Sequence, residues 1–319
     1  MATPDIPPAL LPSRTRHGLG FAMALVAAVF WGLSALAAQS LFDQAHLFAG
    51  WLVSARMGVT GLSLLGLLWW RKGPAYVLAP VRDRHSRGRL LIFSALGLWA
   101  VQYSYLVAIH DGNAATATLL QYTAPAVITL YVAVAARHLP TQRQILAVLL
   151  SLIGTWLLVS GGRPGALTLS AAGLFWGLLS SASLAFYTLY PGRLLREWGP
   201  TRIVGWGMLI GAVLSQSVAP VWRPGPVQWS WGVVGLVGFV VFIGTLAAFW
   251  LYLASLRQLS PSVASLVATA EPLVATAGSV LWLGVTLHLF QEIGAVAIVC
   301  GVAVLAMGGS SRKNKKSPG

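Results

Sequence analysis

The chain has 319 residues, of which 57% are hydrophobic and only 9% are charged, and its mean hydropathy is +0.75. A soluble domain carries about 25% charged residues, so this composition excludes a soluble globular protein and predicts a polytopic membrane protein. The net charge of +14 lies in short loops between apolar segments rather than on one amphipathic face, which excludes a nucleic-acid partner. One cysteine, Cys300, and seven acidic residues leave no room for a disulfide framework or a cysteine metal site, and we expect neither metal nor cofactor.

The chain begins with a Pro-rich segment, residues 1–17, which we expect to be a disordered tail, and it ends with a basic tail at 310–319. The first segment lacks the basic-then-apolar order of a cleaved signal, so the first apolar helix should be retained. Between the tails, turn residues separate ten apolar segments that read as transmembrane helices. These segments are residues 18–41, 47–70, 89–110, 113–136, 144–160, 169–190, 202–220, 229–256, 260–283 and 290–307.

The basic residues predict the orientation of these helices, because Lys and Arg are enriched in cytoplasmic loops. If the N-terminus is cytoplasmic, 18 of the 21 Lys and Arg residues fall in cytoplasmic segments. Arg163 and Arg223 fall on the opposite side, and Arg56 lies within a helix. The asymmetry predicts a multi-pass membrane protein with both termini in the cytoplasm.

The ninth apolar segment contains two residues that a simple membrane-spanning helix does not favour. Glu271 places an acid in the hydrocarbon region, so it should face a protein interior or a wet cavity. Pro272 follows it and frees a backbone carbonyl one turn earlier, which then needs another partner. Pro125, 147 residues before Pro272, places a comparable break in the fourth segment. We expect the chain to be organised around these two helices.

An internal repeat relates the two halves of the chain. Residues 105–162 align without a gap to 252–309 at the offset of 147, and the alignment preserves Pro, Gln and Gly residues in the same order. The repeat predicts two units, residues 18–162 and 163–309, with five helices each. Because five is odd, the second unit enters the membrane from the other side. Inverted repeats of this kind are typical of alternating-access carriers, which bind substrate near the membrane midplane.

Several short motifs give the sequence a family resemblance. Phe-Trp-Gly occurs at 30–32 and again at 175–177, Ala-Pro at 124–125 and Glu-Pro at 271–272. As an ordered set they resemble the EamA-type family of the drug/metabolite transporter superfamily, over roughly residues 18–309. The resemblance implies ten helices, both termini in the cytoplasm, and export of metabolites, often amino acids or related compounds, across a bacterial inner membrane.

One family motif is missing from both halves. Family members commonly carry Leu-Gly-Glu at the end of the fourth helix of each half. The corresponding sites here are Ala-Arg-His at 136–138 and Leu-Gly-Val at 283–285. No role of that glutamate is therefore transferred to this chain.

Two charged residues within helices are candidates for the transport chemistry. Glu271 could be a protonatable coupling site, a counter-charge for a cationic substrate group, or a structural acid bonded to a neighbouring helix beside the break. Arg56 could hold a substrate carboxylate with both prongs of its guanidinium group. Alternatively, Arg56 could be structural, pairing with an acid or helix-end carbonyls or extending to the cytoplasmic face.

Aromatic residues are candidates for the wall of a central cavity. Trp176 and Tyr187 share one helical face with Ser180 and Ser183, and Trp31 is the counterpart of Trp176 in the first half. This face could either line the cavity or serve close helix packing, since small residues let membrane helices approach.

Polar pairs on the third and fourth helices are further candidates. Gln102 lies three residues before Tyr105, and Tyr252 repeats Tyr105 in the second half. Thr118 and Gln121 form a similar pair. Buried amides need partners, which could be substrate, water or another helix.

Taken together, the inverted repeat and the polar and aromatic candidates predict a secondary transporter that moves a small amphipathic metabolite by alternating access, with proton coupling left open. The family resemblance implies that the direction is export and that the substrate is an amino acid or a related compound. The expected partners are this substrate, the lipid bilayer and protons, and the protein could be a monomer or a homodimer. An intramembrane enzyme acting on a lipid-linked substrate is the alternative, but it would need paired carboxylates or a nucleophile with a base. A channel is disfavoured by the sparse charge.

Overall fold

The structure is a computed structural model that describes residues 14–136, 140–163, 169–256, 258–259 and 261–311. Every regular element in this part of the chain is a helix. Of the tails predicted at 1–17 and 310–319, residues 1–13 and 312–319 lie outside the described residues, as does the motif departure at Arg137 and His138. Residues 14–17 and 310–311 are helical instead, at the start of the first helix and the end of the last one. Helices α1 to α16 are, in chain order, Arg14–Asp43, Ala49–Lys72, Pro74–Arg82, Arg84–Ile92, Ala100–Asp111, Ala114–Gln121, Ala124–Ala136, Gln142–Ser160, Ala171–Leu189, Gly192–Trp198, Pro200–Ser215, Trp231–Gly238, Ala248–Ser255, Pro261–Ala268, Ala270–Leu283 and Leu289–Ser311.

Two π-helical segments join pairs of these helices into longer rods. Phe93–Trp99 joins α4 to α5, and Phe239–Ala247 joins α12 to α13. The offset of 147 residues carries the first segment onto 240–246, which lies within the second. The two halves therefore share this unusual local geometry as well as sequence motifs.

Within the described residues, six helices are long and apolar enough to cross a membrane, judged by length and composition. Large apolar side chains on the outside of the protein, such as Trp231 at 92% and Leu281 at 85% exposure, fit a surface that faces lipid rather than water. The protein is therefore an all-helical membrane protein. The six helices are Gly18–Asp43, Ala49–Lys72, Arg84–Asp111, Ala114–Ala135, Ala171–Leu189 and Trp231–Ser255, and shorter apolar helices occupy Gln142–Leu158, Ala270–Leu283 and Leu289–Val304.

Local sequence signals explain where several helices begin and end. The Asn113 side chain accepts a hydrogen bond from the backbone N–H of Thr116 at 2.9 Å and so caps the start of α6. Thr141 and Gln144 form a reciprocal capping box at the start of α8. Gly161 ends α8 in the left-handed region, at φ 60°, which a residue without a side chain adopts easily.

The fourth and ninth apolar segments, which we predicted as single spans containing a proline break, are each divided into two helices. The fourth segment breaks at Tyr122 and Thr123, between α6 and α7, and the ninth breaks at Thr269, between α14 and α15. The last residues before the breaks, Gln121 and Ala268, are 147 positions apart. Both breaks have the same cause, because a proline four residues later cannot donate to either of these carbonyls.

Three further differences from the sequence prediction concern helix ends and loops. The segment predicted at 202–220 is helical only to Ser215, since the backbone continues in tight turns up to Pro220. Short helices α3 and α10, which we did not predict, occupy the connections before α4 and α11. Gly73 and Gly199, each followed by a proline, let the chain turn sharply at the starts of α3 and α11 with φ of 81°.

The helix packing places both breaks inside the protein. Helix α15 packs against α1 and α6, and α5 packs against α9, α2 and α6. Buried side chains from α2 and α5, including Leu52, Met57, Leu106 and Ile109, form the largest core cluster. The region enclosed by α1, α2, α5, α6, α13 and α15 therefore lies next to this core and contains the predicted charged residues.

Candidate functional site

Tyr122 connects the two helix breaks directly. Its hydroxyl lies 2.8 Å from the backbone oxygen of Ala268 and 3.0 Å from Oε2 of Glu271. The oxygen of Ala268 is the carbonyl that Pro272 leaves without a helical partner. Because a phenol carries one proton, the Tyr122 hydroxyl is shared between the freed carbonyl and the carboxylate. The sequence predicted that the carbonyl freed by Pro272 needs a new partner. That partner is Tyr122, which lies in the opposite half of the chain.

Glu271 is buried, with 8% of its surface exposed, in the first turn of α15. This location favours a carboxylate, because the N-terminus of a helix carries partial positive charge. Helix α1 comes very close here: a Cβ atom at Gly32 would lie 3.0 Å from the backbone oxygen of Glu271. The glycine of the first Phe-Trp-Gly motif thus lets α1 pack against the residue that carries the buried charge.

Arg56 is also buried, with 5% exposure, about a third of the way along α2. It lies within range of electrostatic interaction with Tyr105 and Glu271. Among the described residues, however, no carboxylate oxygen lies within 4.0 Å of its guanidinium nitrogens, and its Nε has no hydrogen-bond partner. Arg56 and Glu271, a basic and an acidic side chain that are both buried, therefore form no salt bridge with each other.

Tyr105 approaches this region from α5. Its hydroxyl lies 2.7 Å from the Thr118 hydroxyl, which in turn donates to the backbone oxygen of Ala114 at 2.7 Å. Because the Thr118 proton is used in that second bond, Tyr105 donates to Thr118. The bond fixes the position of the Tyr105 ring between Arg56 and α6.

The predicted aromatic residues divide into two groups. Trp31 contacts Tyr252 and Phe249, with ring centroids 5.3 and 5.4 Å apart. Tyr252 lies within electrostatic range of Tyr122, and Tyr187 lies within range of Tyr252. Trp31 and Tyr252 thus belong with the Glu271 region, whereas the Tyr187 ring stacks on Phe93 with centroids 5.5 Å apart.

Trp176 belongs to a different aromatic group. Its ring lies 5.7 Å from that of Tyr103 and 5.2 Å from that of Phe175. Tyr103 in turn stacks on Trp99, at 5.3 Å. Trp31 and Trp176 are therefore counterparts in sequence but have different surroundings.

The predicted polar pairs also separate. Gln121 donates from Nε2 to the Ser180 hydroxyl at 2.7 Å, which joins α6 to α9 as an interhelical bond. Gln102 is buried, at 6% exposure, and its amide makes no hydrogen bond with any described residue. Of the two amides, Gln102 therefore keeps its hydrogen-bonding capacity available.

Sequence reasoning missed Tyr122. Its polar ring is adjacent to Gln121 and three residues before Pro125, which is a local signal of the break. The direction of its side chain depends on how α6 and α15 pack, and no local pattern gives that. No group of three or more His, Cys, Asp or Glu side chains suited to a metal ion occurs in the part of the chain that the structure describes.

One known protein family matches this chain in both of its halves. The sequence model of the EamA-like transporter family matches the chain twice, at residues 18–160 and 171–307. The chain belongs to this family. The two matches cover nearly all of the helical region, and each includes one of the two broken segments. The resemblance drawn from the short motifs is thereby confirmed.

Relatives of this EamA-family protein are transporters rather than enzymes by name. The uncharacterized inner membrane transporter YicL of Salmonella typhimurium is 34% identical over 290 residues, which cover 90% of this chain and 95% of YicL. The transporter YwfM of Bacillus subtilis is 25% identical over 91% of this chain and 94% of YwfM. The threonine/homoserine exporter RhtA of Salmonella typhimurium is 25% identical over 68% of this chain and 70% of RhtA.

The fold of this EamA-family protein also occurs among solved structures. One crystal structure superposes with a TM-score of 0.62 at 20% sequence identity, covering 96% of this chain and 100% of the other. At this identity the likeness concerns the fold alone.

Proposed function

We propose that this EamA-family protein is a secondary transporter that exports a small metabolite, an amino acid or a related amphipathic compound, across the cell membrane by alternating access. The observation that carries the proposal is the pair of broken helices, which meet at Tyr122 and Ala268 beside the buried Glu271. Broken helices at corresponding places in two repeats, facing each other across a polar interior, are the usual setting of a carrier's binding site. Export as the direction is supported by the name of the relative RhtA.

Reciprocal contacts support two repeats of opposite orientation. At the offset of 147, Ala147 corresponds to Gly294 and Gly154 corresponds to Gly301. A Cβ at Gly154 would lie 2.7 Å from the oxygen of Gly294, and one at Gly301 would lie 2.9 Å from the oxygen of Ala147. Each contact is the image of the other with the halves exchanged, as a two-fold axis requires. Since α8 and α16 run antiparallel here, such an axis is perpendicular to the helices.

The second helix of each half gives the same result independently. Gly58 lies against Ala212, and Gly205 lies against Leu65. The offset of 147 exchanges Gly58 with Gly205 and Leu65 with Ala212. Helices α2 and α11 are therefore also antiparallel across the proposed axis, which would lie in the membrane plane if both helices cross the bilayer.

We therefore place ten spans in the membrane, with five-helix repeats at 18–162 and 163–309 and both termini in the cytoplasm. The shorter apolar helices supply the spans beyond the six long ones, with α14 and α15 together forming one span and α11 another. Labelling with a membrane-impermeant thiol reagent tests this, using single cysteines at Ala2, Ser317 and Arg163 in a Cys300→Ala background. The first two should react only from the cytoplasmic side and the third only from the opposite side. Termini on opposite faces would overturn the topology.

Within this topology, Trp31, Tyr252 and Tyr187 form the aromatic wall of the substrate path, and Gln102 supplies an amide. Glu271 is the coupling site. Because Tyr122 already donates to one carboxylate oxygen, protonation of Glu271 would change the bond that joins the two broken helices. This contact therefore links movement of the two halves to the protonation of Glu271.

The test uses purified full-length protein in liposomes loaded with deproteinised bacterial extract, with solute release followed by mass spectrometry. An amino acid or related compound should leave faster than from protein-free liposomes, and an imposed proton gradient should change its rate. Glu271→Gln should remove that dependence. The matched control is Glu292→Gln, which changes an exposed acid on α16. Release of no solute under either condition would contradict the transporter; release that ignores the gradient would reject only the coupling role.

A further inference from the structure

A cleft with an arginine on each side opens between the two halves of the chain. It has a volume of about 300 Å³ and is lined by Arg89, Tyr190, Arg193 and Leu194. Arg89 lies on α4 in the first half, whereas the other three residues follow the end of α9 in the second half. Small-molecule sites in proteins range from about 300 to 1,000 Å³, so this cleft has room for a small group such as a phosphate.

Close helix contact closes one end of the cleft. The Phe93 ring is fully buried and stacks on the Tyr187 ring, with centroids 5.5 Å apart. Arg89 lies one helical turn before Phe93, and Arg193 lies six residues after Tyr187. The rod that continues α4 therefore contacts α9 at this aromatic pair, and the two arginines lie beyond that contact.

Both arginines have hydrogen-bond donors available. Arg89 is exposed, and its guanidinium group forms no salt bridge or hydrogen bond with any described residue. Arg193 lies 3.9 Å from Glu197, one turn along α10, and both side chains are exposed. An exposed ion pair of this length contributes little, so Glu197 does not neutralise the cleft. Two guanidinium groups in one cleft repel each other, and an anion between them removes that repulsion.

The cleft lies where two predicted spans reach the headgroup region of the membrane. Arg89 is the first residue of the span predicted at 89–110, and Tyr190 is the last residue of the span predicted at 169–190. Ile92, one turn after Arg89, and Leu189, next to Tyr190, are large apolar side chains that are exposed. Apolar surface beside a basic cleft fits the acyl chains that follow a headgroup, whereas a soluble phosphate compound has no use for it.

The positions related by the internal repeat lack these arginines. Arg89 corresponds to Leu236 at the offset of 147. Residues 43–48, which correspond to 190–193 at offsets of 145 to 147, contain neither Lys nor Arg. The repeat keeps the helix breaks and the π-helical segments but not this pair, so the five-helix fold does not require the arginines.

We propose that this cleft binds the phosphate group of an anionic phospholipid, with one guanidinium group from each half of the chain. Guanidinium groups bind phosphate through paired hydrogen bonds, and basic pockets between transmembrane helices bind anionic headgroups. The acyl chains lie along the exposed apolar surface next to Arg89 and Tyr190. Because the arginines come from different halves, the bound lipid joins the halves at this end of the protein. The site goes beyond transport and does not depend on the transported solute.

The test is native mass spectrometry of the purified full-length protein with phosphatidylglycerol or phosphatidylcholine of the same acyl chains. Phosphatidylglycerol should bind at least about tenfold more tightly, because each arginine at the membrane surface attracts an anionic lipid. The double variant Arg89→Gln with Arg193→Gln should lose this preference. The matched control, Arg87→Gln with Arg196→Gln, removes two exposed arginines from the same helices outside the cleft and should keep it. Equal affinity for the two lipids in the unchanged protein, or the same preference in both double variants, would overturn the proposal.

Two further measurements separate the lipid site from simpler explanations. A large molar excess of inorganic phosphate should leave phosphatidylglycerol bound, because it lacks acyl chains; displacement of the lipid would overturn the lipid assignment. Size-exclusion chromatography selects folded protein before each measurement. If the glutamine variant does not fold, Arg89→Lys with Arg193→Lys keeps both charges without the forks and should lose most of the preference. An unchanged preference in that variant would contradict binding through the guanidinium groups.

Discussion

Each half has one buried arginine on its second long helix, Arg56 on α2 and Arg202 on α11, one residue away from equivalence at the offset of 147, and their surroundings differ. Arg202, 7% exposed, donates from Nε to the backbone oxygen of Trp198 at 2.9 Å and from a terminal nitrogen to that of Tyr76 at 2.6 Å. Its guanidinium group also lies 3.6 Å from the centre of the Tyr76 ring. Arg56, 5% exposed, has no salt bridge with any described residue, and its Nε is unpartnered.

The difference shows that burial alone does not identify a functional charge. Backbone carbonyls and aromatic rings take the place of water around the Arg202 guanidinium group. Arg202 therefore joins α11 to α3, and its charge is compensated by contacts within the protein. Arg56 retains its charge without such compensation, at a desolvation cost of several kcal/mol per ion. We interpret Arg202 as structural and Arg56 as prepared for a ligand. The two residues should therefore respond in opposite ways to the same substitution.

The largest expected effect is that of Arg56→Met on transport. Methionine fills a similar volume without charge, so transport of the amino acid should fall by about 100-fold or more, corresponding to about 3 kcal/mol. Stability should be unchanged or slightly higher, because an uncompensated buried charge is removed. Release from proteoliposomes and thermal unfolding in lipid nanodiscs measure the two quantities. A strongly destabilised protein that transports normally would reverse the assignment.

Arg202→Met should give the opposite result. Its loss leaves the carbonyls of Trp198 and Tyr76 without their charged donor, which should lower stability by about 1.5–3 kcal/mol. Transport per folded molecule should stay within about twofold of the unchanged protein. Arg196→Met is the matched control, since Arg196 is exposed on α10 and its loss should cost less than about 0.5 kcal/mol. Equal stability of the Arg202→Met and Arg196→Met proteins would contradict the structural role of Arg202.

Much of the fold follows from local signals in the sequence. Hydrophobic length, turn residues and caps such as Asn113 place a helix in each predicted apolar segment. Pro125 and Pro272 mark the breaks, because a missing N–H is a property of the residue itself. The offset of 147 is visible in the sequence and reappears in the breaks, the π-helical segments and the helix contacts.

The candidate site was less accessible to sequence reasoning, because its contacts join residues far apart in the chain. Glu271 and Arg56 are conspicuous as charges in apolar segments, but the missing salt bridge between them depends on how the surrounding helices position α2 and α15. The side chain of Gln121 donates to Ser180 on α9, and its position in the sequence does not predict that partner. Helix positions of this kind are set by packing over the whole protein rather than by local periodicity.

A smaller effect is expected for Tyr122→Phe. Tyr122 holds Glu271, the buried acidic side chain, as Thr118 holds Tyr105 beside Arg56. Loss of the hydroxyl leaves the Ala268 carbonyl and the Glu271 carboxylate without their shared donor, which should cost about 1 kcal/mol of stability and slow transport by about fivefold. The matched control is Tyr190→Phe, whose ring stacks on Phe186 at 4.7 Å outside this site. Transport and unfolding are measured as for the arginine variants. Equal effects of Tyr122→Phe and Tyr190→Phe on transport would contradict a role for the Tyr122 hydroxyl at this site.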